Sequence, residues 1–285
     1  MPETRPRILL FDSGMGGLSI ARSLWRHLPG VGIVYLADNA CFPYGDRSEH
    51  EVIGRCTSLV EQTLLDYPCD VVVVACNTAS TVVLPELRAR ISQPVVGVVP
   101  AVKPAAALSD NRRIGVLATP ATVDRPYLQR LIDDYAPDCE VVRVGSSELV
   151  RLAENSLETG TVARHLVEPI LAPFVRGGVD TVVLGCTHFP LIRDSLMAAM
   201  PGNIAWVDSG SAIARRVEQL LNTAGGATSG GGDAMEAFLV TGAAPPGLEA
   251  WMDRAGSEQG VAMPFQSSRV SLNMARNSSN GSAGL

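Results

Sequence analysis

A single lysine, Lys103, stands among the 23 Lys and Arg residues of this 285-residue chain, and that scarcity constrains its chemistry first. Pyridoxal phosphate enzymes need a lysine amine for their Schiff base. Lys103 precedes Pro104 in VVPAVKPAAAL, where a strand-to-helix connection accounts for it, so amino-acid chemistry here is expected to be cofactor-independent. No run of eighteen apolar residues occurs, and the start, MPETRPRILLFDSG, has an acidic residue and neither a long apolar region nor a small-residue cleavage site. Membrane insertion and export are therefore not expected, and a cytoplasmic location is. There is no CxxC pair. The cysteines at 41, 56, 69, 76, 139 and 186 are scattered, which favours reduced thiols over a disulfide framework. The four histidines are too widely spaced to suggest structural zinc. A net charge of −6 without a basic cluster argues against a nucleic-acid surface and for a small-molecule partner.

What is present is a regular alternation. Short apolar runs at Ile8–Phe11, Ile33–Ala37, Val71–Ala75, Val95–Val99, Ile114–Ala118, Cys139–Val144, Thr181–Leu184 and Ala205–Val207 read as strands. Helical spacing separates them at Ser19–His27, His50–Leu65, Val123–Tyr135, Thr161–Val175 and Ser211–Leu221. The fold class expected is α/β, with mainly parallel sheets flanked by helices. The rhythm of residues 8 to 99 recurs over 114 to 184, which predicts two similar lobes with a ligand cleft between them. The division expected is 1–98 plus 209–285 for the first lobe and 99–208 for the second. TAGGATSGGGDA, after Asn222, reads as a mobile connector; FLVTGAAPPGLEAWM reads as a strand and helix packing back on the first lobe; residues from about 274 to 285 read as a disordered tail.

Two cysteines occupy matching places in the repeat. In VVVVACNTAS and TVVLGCTHFP, Cys76 and Cys186 each end a β-branched apolar run and precede a threonine-bearing polar segment. That is the carboxyl end of a strand, where α/β proteins place ligands and where following helix amides are expected to lower a thiol pKa toward neutrality. Two thiols facing one substrate can each move a proton, an arrangement suited to inverting a carbon centre. Asn77 and Thr78 follow the first thiol and Thr187 and His188 the second, as candidate carboxylate ligands and a candidate acid/base. A buried structural role is the bland alternative for any one thiol, and Cys41, Cys56, Cys69 and Cys139, which lack the strand-end setting, are read that way.

Other segments carry weaker signals. LLFDSGMGGLS runs from a strand through a glycine-rich turn into a helix, bringing Asp12 and Ser13 to the ligand edge, with Asp12 as a helix cap the bland alternative. It lacks the Gly-Lys-Ser/Thr ending of a phosphate loop and the third glycine of a dinucleotide loop. In VYLADNACFPYGDRS, Asp38 ends a strand, and the turn at Pro43, Tyr44 and Gly45 exposes amides that can hold a carboxylate. Glu154 taken alone reads as a solvated helix-end carboxylate, and Thr119 and Thr122 read as helix caps or carboxylate ligands.

Taken together and in order, FDSGMGGLS, DNACFPYGDRS, ACNTAS, GCTHFP and VDSGSAIARRV resemble the motif set of the glutamate racemase family, within the cofactor-independent aspartate/glutamate racemase superfamily. The resemblance covers roughly residues 8 to 221. It implies two pseudo-symmetric α/β domains and a two-thiol interconversion of L- and D-glutamate that supplies D-glutamate for peptidoglycan, with no cofactor and no metal. Cys76 then corresponds to the thiol serving the D enantiomer, assisted by Asp12, and Cys186 to that serving the L enantiomer, assisted by His188 and Glu154. The resemblance places substrate on Asp12, Ser13, Pro43, Tyr44, Gly45, Cys76, Asn77, Thr78, Thr119, Thr122, Cys186, Thr187 and His188, with Asp38 near the site. It also implies a homodimer and regulation by a cell-wall precursor. The alternatives are an aspartate racemase and a ligand-binding or regulatory member of the superfamily. Ala37, Ala40 and Phe42 depart from the family pattern in a variable segment.

Overall fold

The strand runs do become strands. In the computed structural model, which describes residues 5–223, 234–259 and 267–269, they are β1 (Arg7–Asp12), β2 (Gly32–Ala37), β3 (Val71–Val74), β4 (Val95–Gly97), β5 (Arg113–Ala118), β6 (Glu140–Gly145), β7 (Thr181–Leu184), β8 (Ala205–Val207), β9 (Ala234–Val240) and β10 (Ser267–Arg269). Every pairing is parallel. Two sheets result, one in the order β10-β9-β2-β1-β3-β4 and one in the order β6-β5-β7-β8. Parallel sheets are buried on both faces by their crossover helices, and the side-chain alternation shows it. Ile8 and Leu10 of β1 join one apolar core with Val71 and Val73, while Leu9 and Phe11 join another with Val72 and Val74. In the second sheet Val182 and Leu184 face one core and Val183 the other.

The helices follow the same logic, with two differences from their expected spans. The single helix expected over Val123–Tyr135 is divided into Pro120–Val123 and Pro126–Tyr135. Arg125, immediately before Pro126, takes an extended conformation (ψ 140°), because the proline ring disfavours the helical region for its predecessor. A nine-residue helix, Ser147–Asn155, also runs where no bounds were assigned, capped by Ser146 accepting from the Leu149 amide; it carries Glu154. The segment after the connector forms β9, paired with β2, and the helix Leu248–Gln259, whose Leu248, Trp251 and Met252 enter the core shared with Ile8 and Tyr35. The connector between Thr223 and Ala234 and the tail lie outside the described residues. No described helix is long and apolar enough to cross a membrane.

Parallel strands all deliver their carboxyl ends to one edge of a sheet, so the topology gathers Asp12, Asp38 and Cys76 from the first sheet and Thr119 and Cys186 from the second. Three contacts join the lobes beside that edge. Asp46 accepts from Ser147 Oγ (2.7 Å) and pairs with Arg151, and Glu49 pairs with Arg125.

Candidate active site

The site is built around the loop after β1. Asp12 is fully buried, and its two oxygens are divided between the lobes: Oδ1 accepts from the Gly14 amide (2.9 Å) and Oδ2 from Thr187 Oγ1 (3.0 Å). Burial pushes its carboxyl up to about 6, against the lowering effect of the charge on His188 and of these two hydrogen bonds. One residue further along the loop, the Met15 amide donates to Glu154 Oε2 (3.0 Å), and the same oxygen meets His188 Nε2 at 2.8 Å. The other ring nitrogen of His188, Nδ1, lies 3.7 Å from Cys186 Sγ. A carboxylate, an imidazole and a thiol thus stand in series, all buried.

The loop fits this series closely. A Cβ on Gly16 would lie 2.7 Å from His188 Cε1 and closer still to His188 Nδ1 and Thr187 Oγ1, and a Cβ on Gly14 would lie 2.9 Å from Glu154 Oε1. Only glycine permits such an approach of backbone to side chain. Ser19, in the first turn of the helix Leu18–His27, adds a cross-lobe bond from Oγ to the Thr187 carbonyl (2.9 Å).

Burial weighs against charge on His188, yet its bonds to Cys186 and Glu154 raise it well above its ordinary value and hold the ring protonated. Cys76 has no such partner. Burial pushes its thiol up to about 12, helped by the negative charge of Asp12 and of Cys186 and opposed by the Ala79 amide and by Ser13, whose Oγ is 3.6 Å from Sγ. The expectation that helix amides lower this thiol toward neutrality is therefore corrected. The helix that follows, Asn77–Ser80, has four residues, too few for an appreciable dipole, and desolvation wins.

The remaining predicted residues fall into two groups. Thr78, Thr119 and Thr122 bring three buried hydroxyls together across the lobes, at 3.0 Å for Thr78–Thr119, 3.5 Å for Thr78–Thr122 and 2.9 Å for Thr119–Thr122. Gly45, in the turn begun by Pro43, abuts Thr119, since a Cβ there would lie 3.0 Å from the threonine Cβ. Asn77 is buried, its Oδ1 has no hydrogen-bond partner among the described residues, and it lines a cavity of about 460 Å³ together with Cys186 and Thr187. Cys76, Ser13 and the three threonines Thr78, Thr119 and Thr122 do not line that cavity; the amide, hydroxyl and thiol that do can hold polar groups of a small molecule and exchange a proton with it.

Asp38 and Tyr44 belong to the second group. Asp38 accepts two bonds from Arg55 (2.6 Å each), one from Tyr44 Oη (2.6 Å) and one from Thr241 Oγ1 (2.7 Å), which occupies its oxygens with protein donors. Against the penalty of burial, those donors hold its carboxyl below the ordinary value. The pair ties β2 to the turn at Tyr44–Asp46, to the helix Glu49–Asp66 and to the end of β9. Arg55, Thr241 and Tyr35, which donates to the Gly14 carbonyl (2.8 Å), escaped the reading of the sequence, as did the place of Phe42, whose ring centroid is 5.4 Å from that of His188. The other four cysteines are free thiols.

The chain is similar to known proteins. Residues 18–217 match the family model described as Asp/Glu/Hydantoin racemase. The chain is 51% identical over 214 residues to a glutamate racemase of Shewanella loihica, covering 75% of this chain and 80% of that one. It is 48% identical over 218 residues to one of Haemophilus ducreyi, covering 76% and 82%. The crystal structure of Escherichia coli glutamate racemase, in complex with L-glutamate and the activator UDP-MurNAc-Ala, superposes with a TM-score of 0.83 at 41% identity, covering 94% of this chain and 99% of that one.

Proposed function

Because this chain belongs to the Asp/Glu/Hydantoin racemase family, we propose that it is a glutamate racemase, interconverting L- and D-glutamate by proton transfer at the α-carbon between Cys76 and Cys186. The α-hydrogen of an amino acid is scarcely acidic, so the protein must supply preorganised charge and proton carriers. One sulfur, as thiolate, takes the α-proton from one face, and the opposite thiol gives its proton to the other face. The carbon inverts, and the two sulfurs exchange protonation states. Starting from L-glutamate, Cys186 is the acceptor, with the charged His188 ring, paired with Glu154, beside it to favour the thiolate, and Cys76 is the donor. Starting from D-glutamate the roles reverse, with Asp12 assisting Cys76. Asn77, Ser13, Thr187, the three threonine hydroxyls and the amides of the Pro43–Gly45 turn hold the substrate's polar groups. Asp38 holds that turn in place.

The observation that carries the reading is the unbroken series Cys186–His188–Glu154 joined through the Met15 amide to the loop that also anchors Asp12. A buried thiol needs such a proton route, and a structural one does not. We further propose that the lobes divide at 98/99 and 208/209, that the protein works in the cytoplasm to supply D-glutamate for peptidoglycan, and that it forms a homodimer. Regulation by a cell-wall precursor is proposed from the activator named with the Escherichia coli structure.

Changing Cys76 or Cys186 singly to Ser tests the assignment. Each group contributing about 10²- to 10⁴-fold as a general acid or base, each variant is expected to lose racemisation by at least about 10²-fold, followed by solvent deuterium entering the α-position. Parent rates in both variants would overturn it. Turnover of aspartate in place of glutamate would identify an aspartate racemase, and glutamate binding without inversion a regulatory protein.

A further inference from the structure

Tyr35 lies in the middle of β2, fully buried, where its ring stacks on Phe238 at 4.8 Å between centroids. Nothing in its apolar neighbourhood requires a hydroxyl. That hydroxyl nevertheless donates to the Gly14 carbonyl at 2.8 Å. A Cβ on Gly17 would lie 2.8 Å from the hydroxyl, so the loop rests directly on it.

The carbonyl of Gly14 and the amide N–H of Met15 are the two ends of one peptide group. A trans peptide is a rigid plane with those ends pointing oppositely. The Tyr35 hydroxyl holds one end, and the other donates to Glu154 Oε2, the oxygen that meets His188. Tyr35 is therefore joined to Cys186 by a continuous chain of bonds through one peptide, Glu154 and His188. Hydrogen bonds in such a chain polarise one another. Glycine at 14 leaves this peptide free to turn in the absence of a partner, and a turned peptide would present a carbonyl to the Glu154 carboxylate in place of a donor.

We propose that Tyr35 is a positioning residue of the active site, which fixes the orientation of the Gly14–Met15 peptide and thereby the placement and charge of the Glu154–His188 pair. The inference rests on the proposed racemase reading for its kinetic consequence but not for its structural one. Burial, with the negative charge of Asp12 and Glu154, holds the phenol far above its ordinary value, so it remains a donor throughout the working pH range.

Tyr35→Phe tests this, because it keeps the ring and removes the hydroxyl. The expected result is a fall in kcat of about tenfold, from leaving one buried carbonyl unpaired and the peptide free, with KM within about twofold. Nitrogen-15 NMR of the histidine rings should show the His188 titration midpoint moved downward in Y35F without any substrate present. Phe238→Leu is the control: it removes the stacking partner, keeps the hydroxyl, and should lower the melting temperature while leaving kcat and the His188 titration alone. In a Glu154→Gln background, Y35F should produce no further change at His188. In the parent protein the Met15 amide resonance should titrate with the midpoint of His188. A Y35F variant with parent kcat and parent His188 titration, a Phe238→Leu variant with the same changes as Y35F, or a Met15 amide that does not follow His188 would each overturn the proposal. A moved His188 titration in a protein that fails to racemise glutamate would instead remove the functional reading and leave this one standing.

Discussion

Gly16→Ala puts the architecture of the site under the most direct strain. The perturbation is one methyl group. The backbone accepts it, since left-handed glycines among the described residues are Gly30, Gly160, Gly178, Gly202 and Gly247, and Gly16 is not one of them. The space does not accept it: the new Cβ would lie 2.7 Å from His188 Cε1, where ordinary contact begins at 3.4 Å, and the approach to His188 Nδ1 and Thr187 Oγ1 is tighter. The imidazole must retreat by about 0.7 Å or more, but it is held between Glu154 at 2.8 Å and Cys186 at 3.7 Å, so one of those contacts must lengthen. Overpacking of this kind costs about 1–3 kcal/mol of stability, and a displacement approaching 1 Å at a reacting group costs on the order of 10²-fold in rate. The assay is the optical rotation of L-glutamate over time for kcat/KM, paired with thermal melting followed by far-ultraviolet circular dichroism. Gly54→Ala, in the helix Glu49–Asp66 with no atom within 4 Å of its new methyl, is the matched control and should gain about 0.5–1 kcal/mol. If Gly16→Ala retains the parent kcat/KM and melting temperature, the loop does not confine His188 and the site as described is wrong.

Asp12 and Asp38 should impose opposite pH dependences on stability. Asp12 is raised from 3.8 to about 6, so in that window the folded protein holds a proton that the unfolded chain has lost, and its stabilising effect is present at low pH and lost as pH rises through about 6. The difference is on the order of 2–3 kcal/mol, and urea unfolding at pH 4.5 and 7 should show it in the parent and not in Asp12→Asn; parallel behaviour of the two would refute it. Asp38 is lowered, so its contribution is present above the ordinary carboxylate range and lost on acidification. Arg55→Ala, which strands a buried carboxylate while leaving Tyr44 and Thr241 bonded to it, should cost about 2–3 kcal/mol, below the 3–5 typical of a fully broken pair. It should also raise KM by loosening the Tyr44–Asp46 turn, and an unchanged denaturation midpoint would contradict it.

Much of this was legible in the order of residues, and the boundary has a physical cause. The inner strands β1, β2, β3, β5 and β7 announce themselves because a parallel strand buried on both faces must be a continuous apolar run, while the edge strand β6 is largely exposed and carries Glu140 and Arg143; the residues just beyond the inner runs are the ones a parallel sheet must gather. Cys76, Cys186, Asp12 and Thr119 were visible for that reason. Glu154 was not distinguishable from a solvated carboxylate, since its meaning lies in Met15 and His188, 139 and 34 residues away. Arg55 and Tyr35 left no local trace: a helix arginine and a strand tyrosine are ordinary where they stand, and only the packed sheet reveals whose oxygens they touch. The break at Pro126 was readable from the proline itself.

The two thiols are alike in sequence and unlike in electrostatics, and that inequality bears on how the proposed reaction begins. Cys76 sits among Asp12, Ser13 and a four-residue helix, with no cation against it, and its proton is held up to about pH 12. Cys186 faces a ring that its bonds to Cys186 and Glu154 keep charged, whereas the partner proposed for Cys76 is a carboxyl group, Asp12. Burial thus favours the neutral thiol at Cys76, while the ring beside Cys186 is held charged. In the proposed reverse direction the proton leaves Cys76, where the Ala79 amide and the Ser13 hydroxyl favour the thiolate and the charge of Asp12 opposes it. A pseudo-symmetric fold therefore need not give a symmetric catalyst; the repeat supplies two sulfurs at equivalent strand ends, and different neighbours surround them, Ser13 and the Ala79 amide at Cys76 and His188 at Cys186.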